Sequence, residues 1–376
     1  MATVPFAFNW YMRAHVETLA TEYRVTVVTS GTRDDIHPAL DARIGFVSIP
    51  FQRKPSIPDD FRALWQLWRL FRHDKFDVVH SIMPKSGLLA MIAARLSGVP
   101  VRLHTFTGQV WATRRGAARR ALQWADRLMA RSATRVLADS HSQRAFLIEN
   151  GIADPRRIDV LADGSVTGVD LRRFTRDDEA RRSIRLQHGV PGDAVVFLFV
   201  GRLTRDKGVS DLLAAFESVA ARSAADHLFV VGPDEEGLDA SVAALAARIP
   251  GRVHRVGFSD HPEAYMSAAD VICLPSYREG FGTVIIEAAA VGLPAVASRI
   301  YGVIDAVEDG TTGILHRPGA VDEIGAALER LASDPSLRMM MGRGARARAV
   351  ARFSQERICG ALLDYYRTRA RDAVHG

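Results

Sequence analysis

Apolar positions in this chain fall into two patterns that alternate along its length. Short continuous runs, such as residues 195–200 and 270–274, end at glycine or proline and predict buried strands. Segments at 211–219 and 285–291 are built from good helix formers, and the second stops at a Gly-Leu-Pro sequence. Strands that alternate with helices are typical of parallel sheets covered on both faces. We therefore predict the α/β fold class.

The length and one recurring pattern predict two domains. The chain has 376 residues, of which 48% are hydrophobic, which is enough for two cores. A helix, a Gly-x-Pro turn and a strand follow each other at 92–101 and again at 287–296, as expected of two doubly wound domains. The stretch 175–191 is rich in arginine and aspartate, so we expect domains at 1–180 and 190–354.

An acidic glycine loop lies between the strand at 270–274 and the following helix. Glu279 opens it, Gly280 and Gly282 lie within it, and Glu287 follows in the helix. Free amides at the helix start, over residues 282–284, predict an anion site. A carboxylate beside a phosphate is destabilised by charge repulsion, so we expect Glu279 and Glu287 to bind another group. Sugar hydroxyls are suitable, because they donate hydrogen bonds to carboxylate oxygens.

A basic loop follows the strand at 195–200. Gly201 and Arg202 come directly after the strand, and Lys207 precedes the next helix. Open α/β sheets bind ligands at the carboxyl ends of their strands, so both cations are placed for a phosphate ligand.

The Gly-Arg-Leu loop at 201–208, the Glu-x7-Glu element at 279–287 and the spacing between them resemble the nucleotide-sugar domain of retaining family 4 glycosyltransferases. Further matching pieces are His80-Ser81, Ala138-Asp139-Ser140, Asn150-Gly151 and Gly168-Val169-Asp170. The resemblance implies the GT-B fold, in which two doubly wound Rossmann-like domains face each other across a cleft. It also implies that a last helix, at 355–376, packs back onto the first domain.

The resemblance further implies roles for individual residues. Arg202 and Lys207 would neutralise the donor diphosphate, Glu279 would contact the transferred sugar, and Glu287 would hold the ribose. The implied donor site also contains Gly201, Gly257, Phe258, Phe281, Gly282, Thr283 and Val284. The alternative is that the charged residues are solvated, which leaves their joint spacing unexplained; for Phe258, core packing is an equal alternative to base contact.

The acceptor side is expected in the first domain. His104 follows a predicted strand at 99–103 and precedes Thr107 and Gly108, where many relatives carry a histidine just before the glycine. A structural histidine is the stronger alternative for both His104 and His80. Lys85 and Ser86, at a predicted helix start, would bind an acceptor phosphate, which suits an isoprenoid diphosphate sugar.

The amino terminus departs from this fold. The first full strand that the pattern predicts is at 24–29, whereas the opening Met1-Ala2-Thr3-Val4-Pro5-Phe6 resembles the loop that should follow a strand. We expect either that the natural start lies upstream, which would leave a sheet slot unfilled or irregularly filled, or that the first strand is naturally short.

Charge suggests an anionic partner for the first half. Residues 1–175 carry 25 Lys and Arg against 16 Asp and Glu, a net of +9, while the whole chain is +6. Two predicted helical regions combine arginines with aromatic residues, which resembles a surface for anionic lipid headgroups. Ordinary core helices with solvated basic faces are the alternative. Nucleic acid is not expected, because no recognition motif is present. The residues concerned are Phe61, Leu64, Trp65, Trp68 and Phe71 with Arg62, Arg69 and Arg72, and Trp111 and Trp124 with Arg114, Arg115, Arg119, Arg120, Arg127 and Arg131.

We predict no metal and no cofactor. No Asp-x-Asp pair is present to hold a divalent ion, and the cations of the basic loop can replace one, so activity in EDTA is expected. Cys273 and Cys359 suit packing roles in a reducing compartment. No apolar run reaches the roughly 20 residues that span a bilayer. The function that the resemblance implies leads us to expect a cytoplasmic protein, peripheral on the inner face of the plasma membrane.

The predicted function is retaining transfer from a nucleotide-sugar, a UDP-sugar, to a lipid-linked saccharide in capsule, O-antigen or exopolysaccharide synthesis. Two alternatives stay open: a nucleotide-sugar epimerase of GT-B fold, and a basic membrane- or nucleic-acid-binding protein without activity.

Overall fold

The protein divides into two units, each built on parallel strands. The computed structural model describes residues 1–40, 44–52, 56–223 and 225–375, with side chains up to residue 369. One unit comprises Met1–Gly168 and Gln355–Gly376, and the other Val169–Ser354. Both are α/β units with Rossmann-like parallel sheets, as predicted.

The first unit contains two parallel sheets, ordered β1–β2 and β3–β4–β5–β6. The sequence predicted the first strand of this unit at 24–29, and the observed strand occupies residues 26–29. The strands are β1 Thr26–Thr29, β2 Gly45–Ser48, β3 Val78–Ile82, β4 Val101–Phe106, β5 Arg135–Ala138 and β6 Ile158–Val160. The helices are α1 Arg13–Leu19, α2 Ile57–Asp74, α3 Pro84–Leu96, α4 Gly116–Ser132 and α5 His141–Glu149, with a π-helix at Ala7–Met12 and 3-10 turns at Arg33–Asp35 and Val110–Thr113.

The second unit contains one six-stranded parallel sheet in the order β12–β11–β10–β7–β8–β9. Its strands are β7 Val196–Val200, β8 His227–Val231, β9 Val253–Arg255, β10 Val271–Leu274, β11 Ala295–Ser298 and β12 Gly313–His316. Its helices are α6 Asp178–Gln187, α7 Val209–Ala220, α8 Asp239–Arg248, α9 Pro262–Ala268, α10 Thr283–Val291, α11 Val303–Ala306, α12 Val321–Ser333 and α13 Pro335–Arg352, with a 3-10 turn at Arg205–Lys207.

The burial of strand β7 on both faces explains the continuous apolar run at 195–200. Val196 and Leu198 pack in the core on one face of the sheet, and Phe197 and Phe199 pack in the core on the other face. A parallel strand covered by helices on both sides has no polar face, so alternation is absent.

The chain returns to the first unit through its last helix, α14 Gln355–His375. Leu362 and Tyr366 of α14 pack in a core cluster with Leu103 of β4 and Leu137 of β5. The Tyr366 hydroxyl also lies 2.9 Å from Nδ1 of His80. Burial in this cluster raises the pKa of Tyr366, so its hydroxyl stays protonated.

The division between the units lies earlier than the predicted boundary at 175–191. It falls at Gly168–Val169, and the charged stretch forms α6 inside the second unit. Arg181 and Arg185 of α6 both bind the carboxylate of Asp270, at 2.8 and 2.7 Å. The same carboxylate accepts the amide of Val196 at 2.8 Å. The arginines that suggested a domain boundary therefore anchor a helix to the start of β7 and β10.

We predict that Asp270→Asn destabilises the second unit. The change leaves Arg185, which is nearly buried, without its counter-charge, and breaking such a pair costs about 3 kcal/mol of unfolding free energy. Urea unfolding measures the loss. Asp178→Asn is the control, because its ion pair with Arg176 is exposed and its removal should leave the unfolding midpoint unchanged. Equal midpoints for both variants would contradict the assignment.

Candidate active site

Two loops lie side by side at the carboxyl ends of β7 and β10. These strands are direct neighbours, with Phe197 opposite Val271 and Leu198 opposite Ile272. The β7 loop contains Gly201, Arg202 and Lys207 and leads into α7. The β10 loop, residues 275–282, leads into α10. The fold thus brings together the basic and acidic loops that the sequence singled out separately.

Lys207 and Glu279 form an ion pair between these loops. The Lys207 ammonium donates to Oε1 of Glu279 at 2.6 Å, and both side chains are largely buried. Ser276, which is fully buried, donates its hydroxyl to the same oxygen at 2.7 Å. Two donors, one from each loop, therefore meet at one carboxylate oxygen, which fixes the orientation of Glu279.

Backbone contacts lock the two loops together. The Tyr277 amide donates to the Asp206 carbonyl at 2.8 Å, and Arg278 pairs with the Asp206 carboxylate at 2.8 Å. Gly208 adopts a left-handed conformation, with φ of +69°, and a Cβ there would lie 2.0 Å from the Pro275 carbonyl oxygen. Only glycine permits both this φ and this close approach.

The β10 loop ends at the amino terminus of α10. Gly282 caps the helix with φ of +82°, and Thr283 and Val284 form its first turn. Amides of a first helical turn have no partner within the helix, so they are available to an anion. Phe281 is buried 5.2 Å from Phe353, so its side chain belongs to the core and only its backbone faces the loop.

Glu287 lies on the second turn of α10. Burial raises the pKa of Glu287 to about 7, Arg173 opposes this shift, and Glu263 adds to it. Arg173 is bound to Glu263 at 2.9 Å, so part of its charge is already compensated. The carboxyl group of Glu287 is consequently poised between its two protonation states near neutral pH.

The remaining donor-side residues lie on neighbouring loops. Arg202 is half-exposed and pairs with Glu235 at 2.5 Å. Gly257, with φ of +61°, follows β9, and its carbonyl accepts the Gly232 amide at 2.7 Å. Phe258 is 57% exposed, which excludes the core-packing alternative for its ring.

The acceptor candidates of the first unit are mostly buried. Strand β4 continues through His104, which the sequence prediction had placed after the strand, and Nδ1 of His104 lies 2.9 Å from the Ser81 hydroxyl. Burial lowers the pKa of His104 to about 3. Ser86 is also buried and accepts a hydrogen bond from Thr3. This environment is that of a structural histidine, the alternative considered above.

Two other acceptor candidates line a small cavity after β4. Thr107 and Gly108 border about 40 Å³ together with Trp111 and Asp126. Trp111 is buried, and its indole N–H donates to the Asp126 carboxylate at 2.7 Å. The prediction that Trp111 belongs to an exposed aromatic surface is therefore wrong. Lys85 forms an ion pair with Asp60 at 2.7 Å.

The chain matches two families of known proteins. Residues 180–348 match the family described as glycosyl transferases group 1, and residues 8–164 match the glycosyl transferase 4-like domain. The capsular polysaccharide biosynthesis glycosyltransferase CapM of Staphylococcus aureus is 30% identical over 95% of this chain and 93% of its own length. The chain belongs to the GT-B glycosyltransferases of family 4.

Two further similarities agree with this family. An Escherichia coli protein named UDP-Gal:alpha-D-GlcNAc-diphosphoundecaprenol alpha-1,3-galactosyltransferase is 28% identical over 84% of this chain and 81% of its own length. The crystal structure of Anabaena HepE in complex with UDP superposes with a TM-score of 0.79, at 19% identity and with 98% of each chain covered. The family supports glycosyltransferase activity in bacterial glycan synthesis.

Sequence reasoning missed three residues around the donor side of this glycosyltransferase. Ser276 orients Glu279, Glu235 pairs with Arg202, and the charge of Arg173 lowers the pKa of Glu287. Ser276 lies three residues before Glu279, and this short spacing is the one feature of the sequence that could have identified it. The other two contacts depend on long-range folding and carry no signal in the sequence spacing.

The described part of the glycosyltransferase contains neither a cluster of metal ligands nor a membrane-spanning helix. No group of three or more His, Cys, Asp or Glu side chains there could hold a metal ion. No helix there is long and apolar enough to cross a membrane. Independence from metal stays a prediction.

We predict that Gly208→Ala disrupts the glycosyltransferase more than Gly237→Ala does. Both glycines have positive φ, but a Cβ at Gly237 meets nothing within 4 Å, whereas at Gly208 it clashes with backbone. The control should therefore lose only the conformational cost, about 1 kcal/mol of unfolding free energy, and Gly208→Ala at least about 3 kcal/mol. Urea unfolding measures both losses. Similar losses would show that the loops are not packed as described.

Proposed function

We propose that this glycosyltransferase transfers a sugar from a UDP-sugar to a lipid-linked saccharide, with retention of anomeric configuration, during synthesis of a capsule or related polysaccharide. The observation that carries the proposal is the cluster of Lys207, Ser276 and Glu279 beside the amino terminus of α10. It combines a cation, an oriented carboxylate and helix amides within two adjoining loops.

The donor diphosphate is the first ligand that this cluster fits. Lys207, Arg202 and the α10 amides supply positive charge at the carboxyl ends of β7 and β10. In the structure Lys207 pairs with Glu279 and Arg202 with Glu235, so the diphosphate would share or replace these partners. Such fixed cations stabilise the charge that develops on the leaving phosphate, which is why we propose that no metal is needed.

The carboxylates fit the hydroxyl groups of the donor. Glu279 is held by Lys207 and Ser276 through Oε1 alone in the described contacts, and we propose that Oε2 accepts a sugar hydroxyl. Glu287 lies on the second turn of α10 and would accept the ribose hydroxyls, while the exposed ring of Phe258 would contact the base. UDP is favoured because HepE was crystallised with UDP and the E. coli relative is named for UDP-Gal.

We propose retention because the resemblance to retaining family 4 glycosyltransferases implies it, and both carboxylates are used in donor binding. With neither free to form a covalent intermediate, we propose attack on the same face as the departing diphosphate, through an oxocarbenium-like state. The leaving phosphate accepts the proton of the acceptor hydroxyl. The epimerase alternative is not favoured, since the curated relatives reported above are named glycosyltransferases.

A lipid acceptor is supported by an exposed aromatic face on α2. Ile57, Phe61, Trp65 and Trp68 recur at helical spacing on one exposed face, while Ala63, Leu67 and Phe71 face the core. Arg69 lies over the Trp65 ring at 5.6 Å. Arginines beside interfacial tryptophans suit an anionic bilayer surface. The E. coli relative is named for a diphosphoundecaprenol acceptor, which is itself a membrane lipid.

Replacing Glu279 tests the catalytic proposal. Glu279→Gln keeps the shape but removes the charge that faces the sugar, so we expect turnover to fall at least 100-fold while UDP still binds within about tenfold. Transfer from a UDP-sugar and UDP calorimetry measure the two effects. The control Glu329→Gln, in an exposed pair with Arg222, should keep full turnover. Unchanged turnover in Glu279→Gln would remove it from the mechanism.

Glu287 should make UDP affinity depend on pH. Its pKa of about 7 means that it is ionised above pH 7 and protonated below, and only the ionised form offers two acceptors to the ribose diol. Affinity should therefore rise between pH 6 and pH 8. In Glu287→Gln the side chain does not titrate, so its UDP affinity should lack this rise with pH. If the affinities of the unchanged protein and of the variant changed with pH in the same way, the assignment would be contradicted.

The exposed face of α2 should govern membrane binding. Phe61→Ser with Trp65→Ser removes two side chains that are 68% and 54% exposed, so folding should be unaffected. We expect binding to vesicles with anionic lipids to fall about tenfold or more in flotation assays. Leu186→Ser, an 84% exposed residue of the other unit, is the control. Equal vesicle binding by the unchanged protein, the double variant and the control would exclude this face as the membrane-binding surface.

A further inference from the structure

The loop that follows β8, residues 232–238, lies against the basic loop that follows β7. The Leu203 amide donates to the Pro233 carbonyl at 2.8 Å, and the Glu235 amide donates to the Leu203 carbonyl at 3.2 Å. These two bonds form a short parallel bridge between the loops. Arg202 directly precedes Leu203 in the chain, so the bridge brings the backbone of Glu235 close to that of Arg202.

Asp234 holds the β8 loop in a compact turn. Its carboxylate accepts the backbone amides of residues 236–239 at 2.8 to 3.0 Å. An aspartate that accepts the amides of the residues after it fixes the backbone of a turn. Glu235 lies inside this turn, so its backbone is held independently of the ion pair that its side chain makes.

The side chain of Glu235 occupies a cation of the proposed diphosphate site. Its Oε2 accepts a hydrogen bond from Nη1 of Arg202 at 2.5 Å, and the two side chains are 35% and 52% exposed. Glu279, the partner of Lys207, has a further role in the proposed mechanism, because it would bind a sugar hydroxyl. The proposed mechanism gives no such role to Glu235, whose carboxylate is a counter-charge to Arg202.

This carboxylate and a diphosphate compete for the same guanidinium. A diphosphate that replaces Glu235 breaks an exposed ion pair, and such pairs change an equilibrium constant by up to about fivefold. A diphosphate that shares Arg202 with Glu235 lies beside a carboxylate, and the two like charges repel each other. In both arrangements the negative charge of Glu235 opposes the binding of phosphate.

We propose that Glu235 is a competing anion that lowers the affinity of this glycosyltransferase for the diphosphate of its donor and of its nucleotide product. The inference rests on the proposed function, because it takes the basic loop as the diphosphate site. After transfer the nucleoside diphosphate must leave, and the return of Arg202 to Glu235 favours its departure. Tighter binding of the diphosphate in donor and product alike would not speed the transfer itself.

Glu235→Gln tests the proposal, because glutamine keeps an oxygen that can accept from Arg202 and loses only the charge. Calorimetry at low salt should show UDP and inorganic pyrophosphate binding about fivefold more tightly than to the unchanged protein. The gain should shrink as salt is added, since salt screens exposed charges. Uridine, which has no phosphate, should bind both proteins equally.

Kinetics give a second readout of the same change. In Glu235→Gln the KM for the donor and the inhibition constant of UDP should both fall about fivefold, and kcat should not rise. The matched control is Glu329→Gln, which makes the same change of charge in an exposed pair with Arg222. This control should leave the affinities for UDP and pyrophosphate unchanged.

The sign of the effect decides between competition and orientation. If Glu235→Gln bound UDP equally or more weakly than the unchanged protein, the inference would be overturned, because Glu235 would then not compete with the diphosphate. An equal gain in Glu329→Gln, or for uridine, would also overturn it. If the unchanged protein and both variants bound neither UDP nor pyrophosphate, the proposed function would fail, and the inference with it.

Discussion

The pairing of β7 with β10 is the interaction on which the candidate site depends. The two strands are far apart along the chain, but their backbones are hydrogen-bonded neighbours at the centre of the sheet. Parallel strands end at the same edge, so the loops that follow them meet there. The position of Asp270 adds to this arrangement, because its carboxylate binds α6 and the Val196 amide at the opposite end of the same strand pair. A basic loop and an acidic loop are thereby held against each other without any contribution from a ligand.

The electrostatics of the site follow from that contact. Lys207 and Glu279 lose much of their hydration, and their attraction in this environment is offset by the cost of removing both charges from water. The pair therefore contributes little net stability, whereas its orientation matters greatly for a reaction in which charge moves onto a phosphate. Ser276 holds the carboxylate as a second donor, so the orientation of Glu279 is set by the protein itself. Arg202, in contrast, is half-exposed, and its ion pair with Glu235 is in contact with solvent.

Much of this could be predicted from the sequence because the signals were local. The limits of β7 and α10 were predicted within two residues, since a continuous apolar run marks the strand and a glycine stop marks the end of the helix. The fold class and the family followed from the spacing of the 201–208 and 279–287 elements. Predictions that needed long-range information were less accurate. The arginines of 175–191 suggested a domain boundary because their partner, Asp270, is about ninety residues away in sequence. Trp111 was assigned to a surface because its partners, Asp126 and Phe146, lie on two other helices.

The central claim is that the two loops form a nucleotide diphosphate site. Calorimetric titration with UDP, GDP and ADP, without metal and with EDTA present, tests it most directly when repeated on Arg202→Ala with Lys207→Ala. Arg222→Ala is the control, because its ion pair with Glu329 is exposed and belongs to neither loop. The account predicts that UDP binds most tightly, that the double variant weakens binding at least tenfold, and that the control binds as the unchanged protein does. No binding of any nucleotide, or equal binding by the double variant, would contradict it.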